Sequence, residues 1–425
     1  MRVESGKTKN NKLGVAFDIG TTTIVGSLID LENCKENNTV ILPNPQAKWG
    51  RDILSRITAI IDEPDTLTAH QREVVSACNK IIKTLADSND IGIVTAAGNS
   101  AMEHILLGIS PAPLAKVPYR PAFKEAKKIK PAEIGIDINP EGSVYVFPLI
   151  GGFVGGDTVA GILSTEMHKS NEYCLLIDIG TNNETVVGSK KGIFAASTAA
   201  GPAFEGGTIK YGMIAENGAI QGIEILGTDL KSVPSFLLDV IGKGSPKGIC
   251  GSGIIDCIAK LLDADIIDNT GRIKDRDEIE GNIANRIKEQ GQGNEFVLYK
   301  DAKREITITQ NDVREIQLAK GAIQAGIKLL LKKAGVCHDK IHKVFIAGAF
   351  GSNIRKDSLS RIGVIKKEWL DRVIFVGDAA LEGAKLALCS EEKKIEAEEI
   401  AENTKYVSLS GSSHFQDEFL KGMGF

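Results

Sequence analysis

No uninterrupted apolar run in this 425-residue chain reaches the ~18 residues of a membrane-spanning helix. The start, Met1 to Lys7, also lacks the apolar stretch of a signal peptide, so the sequence reads as a cytoplasmic protein with no membrane role. Strong charge of one sign is missing too. A formal net charge of −4 gives no electrostatic reason to expect nucleic acid or an anionic surface as partner. The seven cysteines (Cys34, Cys78, Cys174, Cys250, Cys257, Cys337, Cys389) are odd in number and scattered, without C-x-x-C and without the C-x4-C-x2-C spacing of a plant-type [2Fe–2S] site. The chain alone should therefore carry no iron–sulfur cluster of that kind, which leaves open only a single-cysteine contribution to a cluster shared between subunits. Cys174, inside Tyr173-Cys174-Leu175-Leu176, reads as a buried reduced thiol.

What is present is ordinary in bulk, 42% hydrophobic and 25% charged, with length for two or three domains. Its distinctive feature is a repeat. Val15-Ala16-Phe17-Asp18-Ile19-Gly20-Thr21-Thr22-Thr23 returns about 160 positions later as Leu175-Leu176-Ile177-Asp178-Ile179-Gly180-Thr181-Asn182-Asn183. Each copy predicts a buried strand, an aspartate, a Gly-Thr turn and a second strand (Ile24 to Ile29; Glu184 to Gly188). Such a turn brings main-chain N–H groups and hydroxyls to phosphate oxygens. The aspartates Asp18 and Asp178 suit Mg²⁺, which takes a few carboxylates plus water and phosphate. One Asp-x-Gly turn is usually only a hairpin. Two, each opening a half of the chain, predict two similar lobes gripping a triphosphate from both sides.

The expected domains are a disordered lead at 1–12, a first lobe at 13–170 and a second at 171–425, whose C-terminal helix returns toward the first. After the first hairpin, Leu42 to Ile57 carries Asn44-Pro45-Gln46 and an amphipathic helix. It reads equally well as a loop closing over a site or as a surface turn. Gln71 to Ala86 has helical spacing, and Ile91 to Ala96 reads as a buried parallel strand. Gly98-Asn99-Ser100 opens a helix whose His104 is more simply a structural hydrogen-bonder than a ligand. Lys124 to Lys130 is read most simply as a solvated face, the other reading being a docking patch for an acidic protein.

Gly151 to Leu163 is a small-residue segment suited to a crossing helix and hinge. Its Asp157 either orients an attacking water or caps the helix, capping being the commoner use. Ala195 to Thr208 lets a ligand lie against bare backbone through Gly201 and Gly206, with Glu205 its one strongly polar group. Gly248 to Asp256 opens a helix suited to an anion. Ile273 to Phe296 is charged and aperiodic, which predicts an exposed insertion. Ile306 to Leu331 is a strand followed by a long helix, and Val344 to Asn353 a strand ending in a small-residue turn. His338 and His342, four apart without a third ligand, read as exposed. Val373 to Ala384 is a last strand feeding a second small-residue crossing helix.

This order of phosphate turn, crossing helix, phosphate turn, small-residue turn and crossing helix resembles the actin, heat-shock chaperone and sugar kinase superfamily, an α/β two-lobed ATPase fold with the nucleotide between duplicated ribonuclease-H-like lobes. Asn44-Pro45-Gln46, Gly50 to Ile57, Leu176 to Asn182, Ser197 to Gly206, Gly248 to Gly253 and Leu318 to Ile323 narrow the likeness. Together they resemble the ATPase domain of the reductive activators of corrinoid proteins, from Leu13 to the C-terminus.

That resemblance implies ATP hydrolysis coupled to reduction of Co(II) to Co(I) in a corrinoid methyl-transfer protein, by a homodimer that docks on its partner. It implies Gly20, Thr21, Thr22, Gly180, Thr181 and Asn182 on the phosphates, and Gly348, Ala349 and Gly351 on the nucleoside. Asp18 and Asp178 would hold Mg²⁺ through its waters, with Asp157, Glu184 and Glu205 as water-orienting candidates. Two departures stand out. Residues 1–12 are all that precede the first turn where the typical activator has a [2Fe–2S] domain, which implies either a separate low-potential electron donor or a relative that has kept the ATPase and changed its partner. Asn183 replaces the usual glycine, and asparagine tolerates a left-handed turn. An Asp-x-His-x-x-Gly cobalamin signature is missing, so the chain is not read as the corrinoid protein itself. The alternatives are a small-molecule kinase of the same superfamily and an ATP-dependent regulatory or assembly protein without a redox role.

Overall fold

A computed structural model describes residues 12–226, 235–291, 293–348, 354–409 and 411–425. The chain forms two compact units. The first comprises Met1–Asn171, Ser189–Ala195 and Asp378–Tyr406, and the second Glu172–Gly188, Ala196–Gly377 and Val407–Phe425. The lead predicted as disordered falls, but for Lys12, outside the described residues.

In the first unit, β1 (Leu13–Ile19), β2 (Thr23–Asp30) and β3 (Lys35–Pro43) form a meander. Helices α1 (Ile53–Asp62) and α2 (Thr66–Leu85) follow, then β4 (Ile91–Gly98), α3 (Ser100–Leu106), β5 (Lys127–Ile129), α4 (Pro131–Ile134), β6 (Ser143–Val146) and α5 (Gly156–Thr165). The sheet runs β3-β2-β1-β4-β6-β5, with β1 antiparallel to β2 and parallel to β4. Its apolar core joins Val15, Phe17 and Ile19 of β1 to Val74, Cys78 and Ile81 of α2 and to Val94 and Ala96 of β4. The Lys124 to Lys130 stretch, read as solvated, supplies the short edge strand β5, and Lys124 donates to the Ile150 carbonyl at 2.9 Å.

The second unit opens with β7 (Cys174–Ile179) and β8 (Asn183–Ser189), followed by β9 (Gly192–Thr198), β10 (Ala219–Leu226), β11 (Ser235–Val240), β12 (Gly248–Ile249) and α6 (Gly251–Asp263). A small sheet of β13 (Ile287–Lys288), β14 (Glu295–Lys300) and β15 (Glu305–Thr309) comes next. It corrects the reading of Ile273 to Phe296 as an exposed insertion. Ile273, Ile287 and Phe296 are core residues, Phe296 with no exposed surface, while the charged stretch between them stays outside. Helix α7 (Gln310–Ala334) is started by a reciprocal cap: Asp312 N–H donates to the Thr309 hydroxyl, and Thr309 N–H to the Asp312 carboxylate at 2.8 Å.

The chain continues through β16 (Lys343–Ala347), α8 (Lys356–Arg361) and β17 (Val373–Gly377). Strands β17-β16-β7-β8 then repeat the arrangement of the first unit, since β7 is antiparallel to β8 and parallel to β16. Helices α9 (Ala379–Cys389) and α10 (Glu391–Asn403) and strand β18 (Thr404–Tyr406) belong to the first unit, where β18 pairs in parallel with the start of β9; α11 (Ser413–Lys421) closes the second. The two small-residue helices, α5 and α9, pack on one another within the first unit, and α9 lies on β1 and β4. Among the described residues no helix is long and apolar enough to cross a membrane.

Candidate functional site

The repeated sequence folds into repeated geometry. Over residues 14–21 and 174–181 the alternation of burial is the same: four buried strand residues, a half-buried aspartate, a buried isoleucine, a half-buried glycine and a buried threonine. The turns differ in length. Ile19 pairs with Ile24 across the first, whereas Ile179 pairs with Asn183 across a turn one residue shorter. Gly20 is required where it stands, because a Cβ there would lie 2.8 Å from the Thr23 carbonyl oxygen.

In the first unit the turn is held from behind. Asn99, the cap of α3, donates to the Thr21 hydroxyl at 3.1 Å, and its own oxygen accepts from Met102 N–H. Gly98 lies opposite Ile19 in the β1–β4 pairing. A Cβ on Gly155 would come within 2.5 Å of the Gly98 carbonyl oxygen, so the start of α5 abuts the end of β4. Gly155 is the residue at the cap position of α5, and Asp157 lies in the helix's first turn, where its carboxylate serves a backbone N–H. Asp157 accepts from Thr158 N–H at 2.6 Å, and burial pushes its carboxyl up to about 6. Its neighbour Glu103 is fully buried. Glu103 Oε1 accepts from Gly98 N–H at 3.2 Å and Oε2 has no hydrogen-bond partner. Burial first, and Asp157 second, push the Glu103 carboxyl well above the usual range. No sequence signal marked Glu103.

His104 is structural, as its position suggested. Nε2 accepts from Ala122 N–H at 2.9 Å and Nδ1 faces the Ser100 carbonyl at 2.6 Å, so the ring is neutral and carries its proton on Nδ1. Burial holds it below the ordinary histidine range. The Asn44-Pro45-Gln46 segment is not a surface turn: Asn44, Gln46 and Arg56 are buried polar side chains.

In the second unit Thr181 donates to Glu205 Oε2 at 3.0 Å, which places Glu205 directly beside the second turn. Two glycines in the left-handed region, Gly201 (φ 75°) and Gly206 (φ 79°), bracket the tight turn Pro202–Glu205 that carries it. Glu184 lies opposite Asp178 in the β7–β8 pairing and accepts from the Ser197 hydroxyl at 2.9 Å. Asn182 is half-buried at the turn. Asn183 departs from expectation. It is the first residue of β8, fully buried and outside the left-handed region, and both its side-chain oxygen and nitrogen lack a hydrogen-bond partner, as does the Thr185 hydroxyl two residues on.

At the helix opened by Gly251-Ser252-Gly253, tight packing accounts for a glycine: a Cβ on Gly253 would lie 2.0 Å from the Ile220 carbonyl oxygen. Gly348 (φ 123°) ends β16 and donates to the Gly377 carbonyl at 3.0 Å; Ala349 and Gly351 lie outside the described residues. His338 and His342 are exposed beside Glu368 and Glu172 respectively. Among the described residues no group of three or more His, Cys, Asp or Glu could hold a metal.

Comparison with known proteins follows the same division. The model of the RACo middle region matches residues 13–170, and that of the C-terminal domain of RACo, the ASKHA domain, matches residues 172–425. The chain is 34% identical over 435 residues to the corrinoid activation enzyme RamQ of Eubacterium limosum, covering 100% of this chain and 72% of that one. It is 24% identical to the [Co(II) methylated amine-specific corrinoid protein] reductase of Methanosarcina barkeri, covering 96% of this chain and 76% of that one. A solved structure, "Reductive activator for corrinoid,iron-sulfur protein", superimposes with a TM-score of 0.87 at 36% identity over 97% of this chain and 66% of that one. The fold is thus the actin-like ATPase fold.

Proposed function

The chain belongs to the RACo family, and we propose on that premise that it is an ATP-hydrolysing activator that drives reduction of Co(II) to Co(I) in a corrinoid methyl-transfer protein. The observation that carries this reading is the 34% identity to a corrinoid activation enzyme over the whole of this chain.

Gly20, Thr21 and Thr22 in one unit and Gly180, Thr181 and Asn182 in the other take phosphate oxygens. Gly348, Ala349 and Gly351 lie against the nucleoside, and Gly201 and Gly206 let the ligand approach bare backbone. Half-buried carboxylates at two strand ends fit Mg²⁺, which retains water and takes phosphate oxygens instead of needing a cage of protein ligands. Asp18 and Asp178 would hold it, and it would neutralise phosphate charge. Hydrolysis then needs orientation of a water and little covalent help. Glu205, anchored on Thr181, Glu184 and Asp157 are the carboxylates available for that.

The cysteines of this sequence lack cluster spacing, which supports an electron supplied by a separate low-potential donor. Turnover does work on the corrinoid partner only if the ATP and ADP forms bind it with different affinity. The protein acts in the cytoplasm as a homodimer.

The test is ATP hydrolysis by the purified chain with and without a Co(II) corrinoid protein. Stimulation by the corrinoid protein is expected, and Asp18→Ala or Asp178→Ala should each reduce it at least about 100-fold. ATP binding without stimulation by any corrinoid protein, and turnover only with an added metabolite, would overturn the assignment in favour of a small-molecule kinase.

A further inference from the structure

The Asn44-Pro45-Gln46 and Gly50 to Ile57 motif has no role in the reading above, yet its side chains converge on the first turn. Three consecutive carbonyls of that turn accept from it. Asn44 Nδ2 donates to Gly20 O at 2.9 Å, Arg56 Nη2 to Thr21 O at 2.6 Å, and Asn44 N–H to Thr22 O at 2.8 Å. The donors are themselves fixed. Gln46 N–H donates to Asn44 Oδ1 at 3.0 Å, Arg56 Nε to Gly50 O at 3.0 Å, and Arg56 Nη1 to Gln46 Oε1 at 3.2 Å.

Arg56 is 1% exposed and makes no ion pair among the described residues. Burial pushes its guanidinium down to about 10, still charged at neutral pH, with Asp52 the one nearby charge raising it. A buried cation without a carboxylate is costly unless an anion comes to it. A peptide turn whose carbonyl oxygens are engaged on one side no longer offers them to a phosphate, which they would repel.

We propose that Asn44 and Arg56 form a clamp that fixes the first turn in its anion-receiving conformation and, through the unpaired guanidinium charge, sets its affinity for the polyphosphate of a nucleotide. The clamp rests on the nucleotide reading of that turn. Asn44 and Arg56 are positioning residues, acting through the backbone of Gly20, Thr21 and Thr22.

The experiment measures KM for ATP, MgATP binding by calorimetry and the rise in melting temperature on adding MgATP, in the wild-type chain and in Asn44→Ala, Arg56→Lys and Gln46→Ala. Arg56→Lys keeps a charge but loses the fork that reaches Thr21 and Gly50 together. In Asn44→Ala and Arg56→Lys, KM and the dissociation constant should rise about 10- to 100-fold, out of proportion to any fall in kcat, as expected for a lost bond at a charged or buried group. The ATP-dependent melting shift should shrink with them. Gln46→Ala touches Arg56 but not the turn and should change KM less than either. A wild-type chain that binds no nucleotide would defeat the nucleotide reading itself. A wild type that binds, with Asn44→Ala retaining wild-type KM and melting shift, would overturn the clamp alone. That variant decides the matter if Arg56→Lys proves insoluble.

Discussion

Replacing Gly383 by alanine sets two opposing effects against each other. Gly383 sits in α9 where it crosses α5, and a Cβ there would lie 2.1 Å from the Ala160 carbonyl oxygen and 2.6 Å from its Cα. Cβ contacts essentially never fall below 3.0 Å, and ordinary van der Waals contact begins at 3.4 Å. The obstacle is backbone, so no rotamer change relieves it and the helices must part by about 1 Å. Overpacking of this kind costs about 1–3 kcal/mol, and the rigid neighbour puts this site at the upper end. Alanine recovers about 1 kcal/mol in helix propensity. The net loss is about 2 kcal/mol, or about 4–8 °C in the melting temperature of a unit of this size. Thermal unfolding followed by circular dichroism, variant against wild type, reads it directly. A melting temperature equal to or above that of the wild type would mean that propensity outweighs contact, and the close crossing would be refuted.

Two further substitutions probe buried polar groups. Glu103 holds its proton more tightly folded than unfolded, where its value is near 4.5. The folded state therefore binds the extra proton, and its stability falls as pH rises from 4.5 through the elevated folded value. Glu103→Gln removes that slope, so urea midpoints of variant and wild type should diverge in the variant's favour as pH rises; parallel curves would contradict the raised value. At Asn183, where neither amide atom is bonded, alanine should raise stability by about 1 kcal/mol because the desolvation cost of an unpaired amide disappears. A fall in melting temperature would show that the amide has a partner in solution.

The features legible in the sequence are those whose cause is local. Each Asp-Ile-Gly-Thr copy carries its own strand, turn and return strand, and Thr309 with Asp312 announces the start of α7 within four residues. Arg56 could not be placed in the same way. Its partners, Gly50, Gln46, Thr21 and Met102, reach 46 positions away, and an arginine on an amphipathic helix ordinarily faces solvent. Glu103 was hidden for the same reason, one acidic residue on a short helix that the fold buries completely. Phe296 was misjudged because the charged residues before it suggested solvent, although β14 begins at Glu295 and turns its apolar side inward. Asn183 was expected to bend the chain, but ending the turn at Asn182 puts it in a strand.

The first unit is assembled from three separated stretches of chain, and this bears on how it is made. The Thr95 hydroxyl donates to the Ala384 carbonyl at 2.8 Å across 289 positions, and α9 covers β1 and β4. During synthesis β1 and β4 therefore emerge well before α9, and wait for their cover while the residues between Thr95 and Ala384, 289 positions apart, are made. In that interval the apolar face destined for α9 is open to water, to neighbouring nascent chains and to chaperones. Completion of the first unit, and with it burial of that face, is therefore a late event. A truncation that removed α9 would strand the sheet of β1 and β4 in this half-covered state.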